Sequence, residues 1–249
     1  RMNGIHLTKK LHETSNVSRS LNNHTLDQGY DILVIGDSHS LMWSPIIDEI
    51  ALENNLTTSF KGSDGRFQFL ENFSMKSSNT DNDFSYENIK KAFIHNKCLV
   101  FIITRWDNYP DGNLDIEDLV EYIHKRGSKS ILVEQPPVLY FGDKNAPQYL
   151  SFLGHHPPDK NKVFIKHNAN EYWADGNNFA ERLSKTYSSC NFFRTSSTLL
   201  KNNKALVILN NDVLYIDDDH LSLSGANLFK ERLKEVILEN ISILQGSAE

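Results

Sequence analysis

The stretch DILVIGDSHSLMWS, residues 31–44, decides the fold of this chain. Residues 32–35 form a short apolar run that Gly36 closes, and apolar residues then recur at helical spacing over residues 41–52. The pattern predicts a buried strand, a tight turn at Gly36 and a helix. Ser38 is thereby placed at the carboxyl end of a strand, the edge at which open α/β sheets bind their ligands.

The same alternation of strand and helix continues along the chain. It predicts further strands over residues 56–60, 98–104, 130–134 and 191–194, and helices over residues 86–95, 116–125 and 178–187. Because these strands are apolar on both faces and are separated by helices, we expect an α/β fold, a three-layer α/β/α sandwich around a mainly parallel sheet. An apolar stripe from Ala226 to Ile241 predicts one final helix, with Ser222 capping its start.

The remaining segments set the domain organisation. Residues 1–30 are polar and without apolar periodicity, so we expect a linker or extension there and a single domain over residues 31–249. Two stretches, 62–83 and 135–175, are predicted to be long irregular loops. Residues 205–209 and 213–216 flank Asn210-Asn211-Asp212 and predict a hairpin that leads into Asp217.

Bulk properties exclude several classes of function. The net charge of -6 argues against nucleic acid as a partner, and no apolar run approaches the ~20 residues of a membrane span. We therefore expect a soluble domain, which could still be part of a membrane protein. The two cysteines, Cys98 and Cys190, are too few for a disulfide scaffold, and a bridge between them is not favoured.

Ser38 has the surroundings of a nucleophile. Gly36 permits the tight turn before it, and the backbone N–H groups at the start of the helix can stabilise an oxyanion. The alternative interpretation is that Ser38 only caps the helix.

A candidate base stands near the other end of the chain. Asp217 and His220 are three residues apart just before the final helix, so the carboxylate can reach the imidazole. His220 would accept the Ser38 proton, and Asp217 would fix its tautomer. The alternatives are an acidic capping turn with a solvated histidine, or a carboxylate metal site. We expect Asp218 and Asp219 to be solvent-facing caps, and His39 to be a structural or crevice-lining residue rather than the base.

Three motifs together carry a family resemblance: GDSHSLMW at residues 36–43, ITRW at 103–106 and YIDDDHLSLSGA at 215–226. They resemble the SGNH (GDSL-like) hydrolase superfamily, which has a flavodoxin-like α/β fold. Most similar is the soluble domain fused to integral-membrane acyltransferases that O-acetylate bacterial surface polysaccharides, such as lipopolysaccharide O-antigen.

This resemblance implies an acyl-enzyme formed on Ser38 without cofactor or metal. An acyl donor would supply an acetyl group, and a polysaccharide hydroxyl, or water, would accept it. It also implies a partner membrane domain in the same polypeptide and a location on the periplasmic side of the bacterial inner membrane. We expect a monomer.

The chain departs from the family at the oxyanion donors. Family members carry a G-x-N-D motif after the third strand, whereas Arg105-Trp106-Asp107-Asn108 stands here. Either Arg105 replaces the missing donor, or it only pairs with a nearby carboxylate. We expect Gly62 to supply the glycine donor, with Gly65 as the competing choice.

Several aromatic residues are candidates for stacking on a sugar ring, although such residues are more often core, and for Trp43 we favour the core. They are Trp43, Trp106, Tyr109, Tyr140, Phe141 and Trp173. His155, His156 and His167 lack a ligand pattern, so we expect no zinc site. Two rival functions remain open at this point: a free-standing carbohydrate esterase that uses the same three residues, and a glycan-binding module without activity.

Overall fold

The computed structural model describes residues 30–62, 97–156 and 161–246. The described strands are β1 (Ile32–Gly36), β2 (Thr58–Gly62), β3 (Leu99–Ile103), β4 (Lys129–Val133), β5 (Lys162–Lys166), β6 (Cys190–Phe193), β7 (Leu200–Lys201), β8 (Lys204–Leu209) and β9 (Asp212–Val213). The helices are α1 (Ser38–Glu53), α2 (Leu114–Lys125), α3 (Ala146–His155), α4 (Glu171–Thr186), α5 (Ser196–Leu199), α6 (Leu223–Asn227) and α7 (Lys230–Gly246).

The central sheet has five parallel strands in the order β2-β1-β3-β4-β6. All five strand predictions are confirmed within two residues at each end. In the register of the sheet, Gly36 pairs with both Gly62 and Ile103, so the carboxyl ends of β1, β2 and β3 meet at one edge. This edge carries the candidate site.

Each face of the central sheet packs against helices, which confirms the three-layer α/β/α sandwich. Ile32 and Val34 belong to the core that includes α1 and α7, whereas Leu33 and Ile35 belong to the core that includes α2 and α4. Neighbouring side chains of a strand point to opposite faces, so a strand covered on both sides is apolar throughout. Trp43 is buried on the α1 side, as favoured from the sequence.

A second, antiparallel sheet was not expected. It has the order β5-β8-β7, with β9 paired to β8. Residues 135–175, predicted to be irregular, contain α3 and β5, so that prediction is wrong. The strand β5 is short and half-exposed. Its partner β8 lies far from it in the sequence, so no local pattern predicts that the two strands pair.

The hairpin before Asp217 is confirmed as the β8–β9 pair. Asn210 and Asn211 form its turn with φ values of 50° and 71°, the left-handed conformations that a two-residue type I′ turn requires. The second arm is shorter than predicted, because only Asp212–Val213 is a strand.

The predicted final helix is divided in two. Ser222 caps α6, its Oγ accepting a hydrogen bond from the N–H of Gly225 at 3.1 Å, and α7 begins only at Lys230. The apolar stripe is still continuous across the break, since Ala226, Phe229 and Leu233 are all buried. Packing of the stripe therefore does not require one unbroken helix.

Other sequence expectations fall partly outside the described residues. The structure does not describe residues 1–29 of the predicted linker, the predicted helix at 86–95, or the predicted loop beyond Gly62. Gly65, the competing glycine donor, also lies outside the described residues. Cys98 and Cys190 are free and buried, so no disulfide joins them. No helix within the described ranges has the length and apolar character of a membrane span.

Candidate active site

Ser38 is the first residue of α1, directly after the end of β1. The turn before it requires glycine, because a Cβ atom at Gly36 would lie 1.7 Å from the carbonyl oxygen of Ile103. The close approach of β1 and β3 at this point fixes where the helix begins. Ser38 is consequently held at the carboxyl edge of the sheet.

The buried carboxylate of Asp37 ties this turn to the end of β3. Its Oδ1 accepts from the N–H of His39 at 2.9 Å and caps α1. Its Oδ2 accepts from Thr104 Oγ1 at 2.6 Å and from the N–H of Arg105 at 2.8 Å. Burial alone would raise the pKa of Asp37, but His39 and these hydrogen bonds outweigh burial and lower it.

A compact turn after β9 presents His220. The Oδ1 atom of Asp217 accepts from the N–H groups of Asp219 at 3.1 Å and His220 at 2.7 Å. The N–H of Leu221 donates to the sulfur of Met42 at 3.1 Å, so the turn rests on α1. These contacts orient the imidazole toward Ser38.

The structure brings Ser38, His220 and Asp217 together in one hydrogen-bonded chain. His220 Nε2 lies 2.9 Å from Ser38 Oγ. On the other side of the ring, His220 Nδ1 lies 3.1 Å from Asp217 Oδ1 and 3.0 Å from Oδ2. This is the arrangement of nucleophile, base and orienting carboxylate in serine acyl-transfer enzymes.

A second carboxylate also reaches the imidazole, which corrects one prediction. Asp219, expected to be a solvent-facing cap, is buried, and its Oδ1 lies 2.7 Å from His220 Nδ1. Asp218 is exposed, as expected. The sequence could not separate the two, because only the packing of the turn against α1 decides which carboxylate points inward.

Burial and the two carboxylates act in opposite directions on His220. Burial lowers the pKa of the imidazole, but the hydrogen bonds to Asp217 and Asp219 outweigh burial and raise that pKa to about 10. His39 packs on the same ring, with 4.6 Å between the ring centroids. The imidazolium that forms on proton transfer from Ser38 is therefore strongly stabilised.

Comparison with known proteins now decides the family. The family model for the "SGNH domain (fused to AT3 domains)" matches residues 10–235. The chain belongs to this SGNH family. A search of curated protein sequences finds no match. Membership supports acyl transfer or ester hydrolysis as the class of activity.

Three solved structures share the fold of this SGNH domain. The periplasmic domain of a lipopolysaccharide acetyltransferase from Salmonella ser. Paratyphi A superposes with a TM-score of 0.63 at 11% identity, over 93% of this chain and 97% of that one. A putative acylhydrolase from Bacteroides fragilis gives a TM-score of 0.51 at 16% identity, over 94% and 96% of the two chains. A GDSL-like lipase from Bacteroides thetaiotaomicron gives 0.51 at 14% identity, over 94% and 98%.

Arg105 of the SGNH domain is engaged with carboxylates. Its Nη1 lies 3.0 Å from Asp219 Oδ2, and its Nε and Nη2 lie 2.8 and 3.2 Å from the two oxygens of Asp107. The side chain is still 44% exposed. Of the two roles predicted for Arg105, pairing with a nearby carboxylate is present in the structure. Replacement of the missing oxyanion donor stays a prediction, and part of the guanidinium is exposed to solvent.

The other candidate oxyanion donors are backbone N–H groups. Those of His39 and Ser40 are bonded to Asp37, which leaves the N–H of Ser38 as the donor at the helix start. Gly62 ends β2 directly beside Gly36 in the register of the sheet. Its backbone is thus at the same edge of the sheet as Ser38, and its role as an oxyanion donor stays a prediction.

Trp106 does not support its predicted contact with substrate. The side chain is completely buried, and its Nε1–H donates to the carbonyl of Val133 at 2.6 Å. A fully covered indole has no face to offer a sugar. Among the other aromatic candidates Tyr109 is also buried, whereas Tyr140 is 50% exposed, with Lys166 Nζ 4.9 Å from its ring centre.

Two overlapping clusters among the described residues have residue types that bind metals, and one of them is the carboxylate set Asp217, Asp218 and Asp219. The other cluster includes both histidines of the site. His39, Asp219 and His220 place one candidate ligand atom each within 4.8 Å of one another. However, Arg105 already supplies a positive charge to Asp219, and His220 Nε2 contacts Ser38. The cluster thus already holds an ion pair and the contact between His220 and Ser38.

Proposed function

We propose that this SGNH domain transfers an acetyl group, through an acyl-enzyme on Ser38, to a hydroxyl of a bacterial cell-surface polysaccharide such as lipopolysaccharide O-antigen. The observation that carries the proposal is the 2.9 Å contact between Ser38 Oγ and His220 Nε2, with Asp217 on the opposite ring nitrogen. A binding module without activity has no need for this connected set.

The first half-reaction acylates the serine. Ser38 Oγ attacks the carbonyl carbon of the acyl donor while its proton passes to His220 Nε2. The resulting oxyanion is stabilised by the N–H of Ser38, with Gly62 and Arg105 as the other proposed donors. The intermediate collapses to the Ser38 ester, and the leaving group takes the proton from His220.

The second half-reaction passes the acyl group on. A sugar hydroxyl loses its proton to His220 Nε2 as its oxygen attacks the ester carbonyl. Collapse of the second oxyanion breaks the bond to Ser38 Oγ, which regains the proton from His220. Water in place of the sugar would give hydrolysis, so the three residues alone serve a transferase and an esterase equally.

Two comparisons favour transfer. The matching family is described as fused to AT3 domains, and one structural neighbour is named a lipopolysaccharide acetyltransferase periplasmic domain. By this analogy we propose that an integral-membrane acyltransferase domain is the partner, in the same polypeptide. We also propose that residues 1–30 link the two on the periplasmic side of the inner membrane.

Mass spectrometry of the purified chain after brief incubation with p-nitrophenyl acetate tests the proposal. We expect a gain of one acetyl group in the wild type and none in Ser38→Ala. Ser151→Ala is the matched control, because Ser151 is exposed on α3, and it should acylate like the wild type.

Decay of the acyl-enzyme then distinguishes transfer from hydrolysis. Methyl glycosides of hexoses and deoxyhexoses are added as acceptors, and acetylated sugar is measured beside acetate. Faster decay with formation of the sugar ester supports transfer, whereas decay to acetate alone, unaffected by sugar, identifies an esterase. The absence of any Ser38 adduct would contradict the acyl-enzyme proposal.

A further inference from the structure

Two carboxylates converge on a single imidazole nitrogen in this site. His220 Nδ1 lies 3.0 Å from Asp217 Oδ2 and 2.7 Å from Asp219 Oδ1. One ring N–H cannot donate fully to both, so one carboxylate orients the ring while the other acts mainly through its charge. The side chain of Asp217 is 29% exposed and that of Asp219 only 4%, so the charge of Asp219 is less screened by water.

The same buried carboxylate carries a counter-charge. Asp219 Oδ2 lies 3.0 Å from Arg105 Nη1, and Arg105 is held in place by Asp107 at 2.8 and 3.2 Å. Asp107 is anchored in turn, its N–H donating to Gln135 Oε1 at 2.9 Å. A line of alternating charge therefore runs from His220 through Asp219 and Arg105 to Asp107.

We propose that Asp219 and Arg105 form a positioning pair that sets the basicity of His220. Asp219 stabilises the imidazolium formed when Ser38 gives up its proton, and Arg105 limits that effect so that the imidazole can lose the proton again. This inference rests on the proposed function, because it assigns the pair a role in the same proton transfer.

Other charged or titratable groups also face His220. On its own turn these are Asp217 and the exposed Asp218. On α1, the ring of His39 packs against the His220 ring, and its Nε2 lies 3.9 Å from Asp219 Oδ2. The Nδ1 atom of His39 lies 3.4 Å from Oδ1 of Asp37, the cap of α1. Burial raises the pKa of Tyr215, the nearby phenol, so it stays neutral. Arg105 is the cation among these groups that touches Asp219 directly.

The two members of the pair should shift the titration of His220 in opposite directions. Removing the negative charge of Asp219 destabilises the imidazolium and lowers the pKa of His220. Removing the positive charge of Arg105 leaves Asp219 uncompensated and raises that pKa. General damage to the site would not produce shifts of opposite sign.

The experiment measures the His220 ring by NMR titration in the whole chain, together with the pH dependence of acylation by p-nitrophenyl acetate. We expect D219N to lower the pKa of His220, and the acidic limb of the pH–rate profile, by about one unit or more, the effect of a nearby opposite charge. R105Q should move both to higher pH. The D219N/R105Q double variant should return toward the wild type, since it removes both charges.

Matched controls separate charge from structure. D218N removes an exposed carboxylate of the same turn and should shift the pKa of His220 less than D219N does. R105K keeps the charge and should shift it less than R105Q. The side chain of Arg105 is 44% exposed, so its variants are expected to fold even if D219N does not.

The proposal is overturned if D219N and R105Q leave the pKa of His220 unchanged, or move it in the same direction. A uniform loss of rate in R105Q with an unchanged profile would instead assign Arg105 to the oxyanion. The NMR titration needs no activity, so failure of the positioning pair and failure of the proposed acyl transfer are distinguishable.

Discussion

The Nε2 atom of His220 lies 2.9 Å from the Oγ atom of Ser38, although 182 positions separate the two residues in the sequence. Ser38 lies at the junction of β1 and α1, and His220 lies in the turn before α6. The hydrogen bond from Leu221 N–H to the sulfur of Met42 holds that turn against α1. The proposed activity therefore depends on the packing of the turn after β9 against α1.

Replacing the candidate base should remove most of the activity. We expect His220→Gln to slow acylation of Ser38 by about 10²- to 10⁴-fold, because no group then accepts the serine proton. The residual rate should also lose the dependence on pH that the ionisation of His220 gives the wild type. Rates of p-nitrophenol release across a pH series measure both effects.

His155→Gln is the control for that variant. His155 is exposed, and a nitrogen of its ring lies 2.8 Å from the Ser151 carbonyl of its own helix, so its loss should leave the rate unchanged. Retention of more than a tenth of the wild-type rate in His220→Gln would contradict the assignment of the base.

The ionisation of His220 should make stability depend on pH. Its pKa is raised to about 10 in the folded chain from an ordinary value of 6.5, so folding favours the imidazolium. The stabilisation is fully present below about pH 6.5 and is lost as the pH rises through about 10. Urea unfolding of the wild type and His220→Gln at pH 6 and pH 10.5 measures the difference.

We expect the gap in unfolding free energy between these two proteins to be more than about 1 kcal/mol larger at pH 6 than at pH 10.5. Other groups that titrate in this range are common to both proteins and cancel in the comparison. A gap that is constant or grows with pH would show that His220 is not stabilised as a cation.

Adding a single methyl group at Gly36 should destabilise the whole sheet. In Gly36→Ala the new Cβ would meet the carbonyl oxygen of Ile103 at 1.7 Å, so β1 and β3 must move apart. We expect a loss of about 1–3 kcal/mol in the free energy of unfolding, as for other overpacked sites. Chemical denaturation measures it.

Gly246→Ala is the matched control for Gly36→Ala, because no atom of the described residues lies within 4 Å of a Cβ atom at that position. Its stability should stay within about 0.5 kcal/mol of the wild type. Wild-type stability in Gly36→Ala would mean that the two strands are not in this close register.

Trp106 should contribute to stability and not to substrate binding. Trp106→Phe removes the indole hydrogen bond to Val133 and leaves space in the core, which should cost about 1–3 kcal/mol. The KM for p-nitrophenyl acetate should not change. Thermal unfolding and steady-state kinetics at a temperature where both proteins are folded give the two readings.

Tyr140→Ala provides the contrast. The ring of Tyr140 is half-exposed, so its removal should change stability by no more than about 0.5 kcal/mol. An increase in KM for Trp106→Phe without loss of stability would restore the predicted contact between Trp106 and substrate.

Much of the central fold could be predicted because each element is specified locally. The run at residues 32–35 is apolar on both faces, and Gly36 marks the turn. The cap of α1 is Asp37 and not Ser38, the cap considered from the sequence. The antiparallel sheet could not be predicted in the same way. The strand β5 is half-exposed, and its partner β8 is brought to it only by the folded chain.

In the candidate site, too, some residues could be predicted from the sequence and others could not. Ser38, Asp217 and His220 stand in short motifs whose spacing indicates their chemistry, so they could be named from the sequence. Asp219 could not, because Asp218 and Asp219 are the same residue type at adjacent positions, and only packing buries one of them. Trp106 was misassigned because the sequence does not show that a side chain at a strand end turns inward.

The sequence by itself determined the parallel α/β architecture, the turn that carries Ser38 and the pairing of Asp217 with His220, because residues close in sequence carry each of those signals. Only the tertiary structure decided that the imidazole meets Ser38, that a second carboxylate is buried against it, and that Arg105 neutralises that carboxylate. These contacts join segments far apart in the chain, and their strength depends on the exclusion of water when β1, β3 and the final turn pack together.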